Sequence, residues 1–120
     1  MARFLIVDDS PLERFTLRKC LEKLEYEVVA EAKNGTEALE MYKSLWPDIV
    51  LLDIMMPNEN GLDVLRHIIE IDKNARVIMC TSSASEVFVL NATKFGAKHF
   101  IAKPISLNAL AKVIDVALKH

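Results

Sequence analysis

The sequence predicts an α/β fold, a single domain of five βα units whose doubly wound, five-stranded parallel sheet carries helices on both faces. Three observations predict it. Apolar, strand-like runs alternate along the chain with segments of helical spacing. Four of the five runs are continuously apolar, as strands buried on both faces must be, rather than apolar on one side only. The chain has 120 residues, 52 % of them hydrophobic, which suits one core large enough to bury such a sheet. The domain is expected to span residues 1–120.

The elements follow in order. Phe4, Leu5, Ile6 and Val7 form the first strand run. Ser10 and Pro11 read as N-cap and first residue of a helix, whose apolar stripe is Leu17, Cys20, Leu21 and Leu24. A second run covers residues 28–32. Asn34-Gly35 then reads as a turn, and Ala38, Met41, Tyr42 and Leu45 repeat the i, i+3, i+4, i+7 spacing. Residues 49–52 form the third run. Asn60-Gly61 opens a third helix with a looser stripe of Leu62, Leu65 and Ile69. The fourth run is residues 77–80, and the helix expected after it, around 85–95, has the weakest signal. Its Val87-Phe88-Val89-Leu90 favours a strand by local propensity. Its place in the alternation, with Ser83 and Ser85 as candidate caps, favours a helix. Residues 100–102 make the fifth run, and Leu107, Leu110, Ala111 and Ile114 mark the last helix.

Composition narrows the functional classes. A net charge of −2 argues against a basic nucleic-acid-binding face. No apolar stretch approaches the ~20 residues of a membrane span. Met1-Ala2-Arg3 leads straight into a strand, so no signal peptide is expected and a cytoplasmic protein is. Cys20 and Cys80 read as buried free thiols, and His67, His99 and His120 have no zinc-like spacing with them.

The chemistry lies in the acids. Asp8 and Asp9 end the first strand run, and Asp53 ends the third. If those strands are parallel neighbours, three carboxylates meet at one sheet edge. Each like-charge pair at ~4–5 Å costs roughly 3–4 kcal/mol at an effective dielectric of ~20. Such a cluster calls for a divalent metal or a proton. Open parallel sheets place their ligands beyond the carboxyl ends of the strands. Thr81 and Lys103 end the fourth and fifth runs at that same edge.

Asp8-Asp9, Asp53 within Leu52-Asp53-Ile54-Met55-Met56-Pro57, Gly61, Thr81 and Lys103-Pro104 together resemble the receiver domain of two-component response regulators. The likeness is greatest to stand-alone CheY-type chemotaxis regulators. It covers essentially the whole chain, with intervals of 44, 28 and 22 residues from Asp9 to Asp53, Thr81 and Lys103 in turn. The resemblance implies a flavodoxin-like (CheY-like) topology with strand order 2-1-3-4-5. It implies that Asp53 accepts a phosphoryl group from a histidine kinase. Asp9, Asp8 partly through water, Asp53 and the Met55 carbonyl would hold Mg2+, a hard cation that takes oxygen ligands. Three carboxylates and one ammonium total −2, which one Mg2+ neutralises. Lys103 would neutralise developing phosphoryl charge, with a cis peptide bond before Pro104.

Thr81 and Phe100 would relay the signal, the ring turning inward as the hydroxyl moves. A phenylalanine carries no hydroxyl to desolvate, so Phe100 is expected to lie inward much of the time even without phosphate. An apolar Met55 is expected to shield the acyl phosphate from water, and Ser83 stands at another position that tunes its loss. The output surface would be the face of the fourth helix, fifth strand and fifth helix, including Glu86, Val89, Asn91, Lys94, Lys98, His99 and Ile105.

The expected partners are a histidine kinase, an output protein such as a flagellar motor switch component, and a phosphatase. No nucleic acid or membrane is expected, and a monomer is. Such a protein catalyses only its own phosphorylation and dephosphorylation. A phosphorelay shuttle, or a receiver belonging to a longer regulator, fits the same residues. A metal-dependent aspartyl-phosphate hydrolase usually has a second acid two residues after the nucleophile, where this chain has Met55. In a flavodoxin-type module, Asp8-Asp9 would repel the flavin phosphate.

Overall fold

The computed structural model describes residues 1–82 and 86–119, and the side chains of all of these except Glu86 and Val87. The expected caps Ser83 and Ser85, and His120, lie outside the described residues. The elements are β1 (Arg3–Val7), α1 (Pro11–Lys23), β2 (Glu27–Ala32), α2 (Gly35–Leu45), β3 (Ile49–Asp53), β4 (Met55–Met56), β5 (Glu59–Asn60), α3 (Gly61–Ile71), β6 (Val77–Thr81), α4 (Glu86–Lys94), β7 (His99–Ala102) and α5 (Leu107–Lys119). Five strands form one sheet in the order β2-β1-β3-β6-β7, and every pairing in it is parallel. Counting only these five, the order is the expected 2-1-3-4-5.

Strand alternation sorts the core into two layers. Phe4, Ile6, Ile49, Leu51, Ile78, Cys80 and Ile101 pack against Leu17 and Leu21 of α1 and Leu110, Ile114 and Ala117 of α5. Leu5, Val7, Val50, Leu52, Val77 and Met79 face the other way, onto Ala38 and Tyr42 of α2, Val64, Leu65 and Ile68 of α3, and Ala92 of α4. Both faces are therefore covered, and the central strands β1, β3 and β6 are buried almost throughout, while edge strand β2 carries Glu27 and Glu31. Cys20 and Cys80 are free thiols, and burial pushes the Cys80 thiol up to about 12.

Two details depart from simple periodicity. The stretch 87–90 is helical despite its β-branched residues, because tertiary packing of Ala92 overrides local propensity. The short antiparallel pair β4–β5 between Asp53 and α3 has two residues per strand, too few to leave a periodic trace. No helix among the described residues is long and apolar enough to cross a membrane.

Candidate functional site

The same alternation that sorts the core aims the site. Ile6, Leu51 and Ile101 face α1 and α5. Two residues further along each strand direction stand Asp8, Asp53 and Lys103, so all three return to that face at the carboxyl edge. Asp8 extends the ladder by one bond past β1, donating its amide to the Ala32 carbonyl at 3.0 Å. Lys103 does the same beyond β7, donating to the Thr81 carbonyl at 2.7 Å. Thr81 lies two residues past Met79, whose partner across the sheet is Phe100. Both Met79 and Phe100 pack on the α2–α3–α4 side, so Thr81 and Phe100 share the face that α4 covers.

Lys103 Nζ is the centre of the cluster. It donates to Asp8 Oδ2 at 3.3 Å, to Asp53 Oδ1 at 3.2 Å, and to Glu13 Oε2. Asp8 and Asp53 are 1 % and 4 % exposed, and Thr81, which follows the register partner of Asp53, is buried as well. Carboxylate oxygens of Asp8, Glu13 and Asp53 lie within 4.8 Å of one another. Asp8 Oδ1 also accepts the Ser10 amide at 2.9 Å, and Arg14 donates to the Asp8 carbonyl at 2.6 Å. The chain leaving β1 is thus tied down on both sides of its carboxylate.

Electrostatics follow from burial. Burial first, then the shared hydrogen bond with Glu13, pushes Asp8 up to about 6 against the help of the Ser10 amide. Burial also raises Asp53, opposed by Lys103 and the Met55 amide, whose nitrogen lies 3.4 Å from Oδ1. Glu13 is held below the ordinary range by its hydrogen bonds with Asp8 and Lys103. Burial alone would lower Lys103, but the carboxylates of Glu13, Asp53 and Asp8 outweigh it and keep the ammonium charged.

The expected residues do not all sit alike. Asp8, Asp53 and Lys103 converge. Asp9 is exposed and lies at the mouth of an adjoining cleft with Met55, Met56, Pro57 and Phe88. Met55 itself is 73 % exposed. Phe100 is partly buried against the core rather than fully exposed. The Lys103–Pro104 bond is cis. Gly61 permits the close approach of α3 to the site, since a Cβ there would come within 2.6 Å of Ile54 Cα and 2.8 Å of the Asp53 carbonyl oxygen. Glu59 fixes the other side of the same loop, its carboxylate accepting the Gly35 amide at 2.8 Å.

Glu13 is the residue that sequence reasoning missed. It adds one negative charge to the set of Asp8, Asp9, Asp53 and Lys103. A signal for it existed, because Glu13 lies one turn into the helix that starts beside Asp8. That helix covers the face toward which alternation aims Asp8. The donors at this edge are hard carboxylate oxygens, and burial raises Asp8 and Asp53 despite the Lys103 ammonium beside them. Both features fit Mg2+.

Comparison with known proteins agrees with this geometry. Residues 4–115 match the response regulator receiver domain family. The chain is 44 % identical to the chemotaxis protein CheY of Thermotoga maritima over 117 residues, covering 98 % of each chain. It is 42 % identical to the CheY of Bacillus subtilis, covering 97 % of each. Among solved structures it resembles the CheX–CheY–BeF3–Mg2+ complex of Borrelia burgdorferi, with a TM-score of 0.92, 36 % identity, and coverage of 96 % of this chain and 87 % of that one. Sheet order, strand-end residues and sequence likeness over nearly the full length lead to one assignment: the chain belongs to the response regulator receiver domain family and is CheY-like.

Proposed function

We propose that the protein is a phosphorylation switch of a chemotaxis pathway, taking a phosphoryl group from a histidine kinase onto Asp53. The observation that carries this reading is the convergence of buried Asp53 and Asp8 on the Lys103 ammonium at the carboxyl edge of a parallel sheet. The relatives named as chemotaxis proteins support the pathway.

An Asp53 carboxylate oxygen attacks phosphorus, and the P–N bond to the kinase imidazole breaks. The electron pair stays on the imidazole nitrogen. With a small acyl phosphate, the P–O bond to the carboxylate breaks instead. Asp53 serves as nucleophile, and Lys103 and the Met55 amide favour its carboxylate form against the effect of burial. Lys103 remains an ammonium and meets the charge on the phosphoryl oxygens. Asp8, Asp9, Asp53 and the Met55 carbonyl are the groups that would hold Mg2+. Bound there, the ion would neutralise carboxylate charge and polarise the phosphoryl oxygens. The Borrelia CheY with BeF3 and Mg2+ supports that role.

Thr81 and Phe100, on the α4 side of the sheet, would carry the change to the face of α4, β7 and α5. Asn91, Lys94 and Lys98 are exposed there, and Val89, His99 and Ile105 partly so. Leu90, 62 % exposed, adds an apolar contact point that periodicity did not single out. An output protein would read this face, and the protein turns over no other substrate.

The test is incubation with Mg2+ and acetyl phosphate, with and without Asp53→Asn. Wild type should gain one acid-stable, base-labile phosphoryl group and the variant none. Equal labelling of both proteins would contradict the reading.

A further inference from the structure

Glu13 occupies a place where local sequence makes it a helix-capping residue. Ser10, Pro11, Leu12 and Glu13 carry the S-x-x-E pattern, in which the cap hydroxyl takes the amide three residues on and the glutamate returns to the cap amide. Only the first half forms, with Ser10 Oγ accepting the Glu13 amide at 3.2 Å. The Ser10 amide goes to Asp8 Oδ1 instead, and the Glu13 carboxylate goes to Lys103.

An ammonium has three N–H donors. Asp8, Glu13 and Asp53 take one each. Lys103 can serve an incoming phosphoryl oxygen only by leaving one of these partners. The side chains of Asp8 and Asp53 are 1 % and 5 % exposed, whereas that of Glu13 is 43 % exposed. Water can replace Lys103 at Glu13 far more cheaply than at either buried acid.

We propose that Glu13 is a positioning residue that holds Lys103 in the resting site and slows the uptake of a phosphoryl group by Asp53. The proposal rests on the receiver reading above and adds a brake to it. Transfer requires Lys103 to move off Glu13, and Glu13 adds negative charge against that release.

The experiment compares wild type, Glu13→Gln and Glu37→Gln, with Glu37 the same residue at the same position of α2. Labelling by acetyl phosphate is followed by intact mass at fixed, saturating Mg2+. Glu13→Gln should label about fivefold faster, and Glu37→Gln at the wild-type rate. In a Lys103→Ala background, Glu13→Gln should match its parent. Without metal or donor, the NMR signals of the Lys103 terminal methylene should shift in Glu13→Gln and not in Glu37→Gln, a change that a mere capping role would not produce. If Glu13→Gln does not fold, Glu13→Asp keeps the acid but shortens its reach, and should accelerate labelling likewise. Equal rates for wild type and Glu13→Gln overturn the proposal. So does unshifted Lys103, or acceleration that persists without Lys103. A wild type that takes no label sinks the receiver reading itself, and the brake with it.

Discussion

Two helices of this protein begin with the same local grammar and use it differently. At α2, Asn34 caps the Glu37 amide at 2.9 Å, and the Glu37 carboxylate turns back to the Lys33 amide at 2.9 Å. At α1, Ser10 caps the Glu13 amide, but the Glu13 carboxylate reaches outward to Lys103. Two features of α1 set it apart: the Lys103 ammonium lies within reach of Glu13, and the cap amide is already taken. Asp8 stands two residues before the α1 cap and takes the Ser10 amide, leaving Glu13 without a local acceptor role. No such acid precedes the α2 cap. A neighbouring carboxylate therefore turns a capping residue into a member of the site.

Removing Asp8 should break that difference most strongly. In Asp8→Ala the Ser10 amide loses its acceptor, and Glu13 is expected to accept it, whereas Glu37 accepts the Lys33 amide one residue before its cap. If Asp8 helps hold the ion as proposed, Mg2+ affinity should fall about 10–100-fold by calorimetric titration. An affinity unchanged by the substitution would mean that Asp8 is no part of the metal site.

A smaller effect concerns pH. The folded-state value of Asp8 is raised to about 6 from 3.8, and Asp53 is raised as well. Their ionised forms are disfavoured by folding, so they cost stability above that range and cease to as pH falls through it. The metal-free protein should gain about 1–2 kcal/mol in urea unfolding between pH 7.5 and 5. Glu13, lowered, acts in the opposite sense, and its contribution is lost only as pH falls through its folded-state value, below the ordinary glutamate range. A flat profile between pH 7.5 and 5 would contradict the burial argument, and saturating Mg2+ should reverse the slope.

The smallest effect isolates the cap that acts as a cap. Asn34→Ala should cost about 1 kcal/mol and Glu37→Gln about 0.5 kcal/mol of stability, with labelling rates unchanged. A change in labelling with either variant would show that α2 is coupled to the site after all.

The fold was readable where one interaction dominates. Continuous apolar runs mark the central strands because burial on both faces admits little else, and the five observed strands extend the expected ones by a residue at most. Ser10-Pro11 was readable as a helix start because cap chemistry is local. Asn34 and Gly35 are cap and first residue of α2 rather than a separate turn. The buried stripe of α3 centres on Val64, Leu65 and Ile68, beside the looser one expected, because which side of a mostly apolar helix faces the sheet is set by tertiary packing. At the site, Asp53, Asp8 and Lys103 were readable as strand-end residues. Glu13 was not, because its local pattern already has a sufficient explanation, and only the three-dimensional position of Asp8 withdraws it. Asp9 next to Asp8 reads as its equal in sequence, yet the turn after β1 buries one and exposes the other.

With Asp8, Asp9, Glu13 and Asp53 all near one edge, the direct test of the account is where the phosphoryl group goes. Wild-type protein labelled with acetyl phosphate and Mg2+ can be reduced with borohydride, which converts an aspartyl phosphate to homoserine, and its peptides then sequenced by mass spectrometry. Conversion is expected at Asp53 alone. Conversion at Asp8, Asp9 or Glu13, or none in a protein that has taken up phosphate, would contradict it.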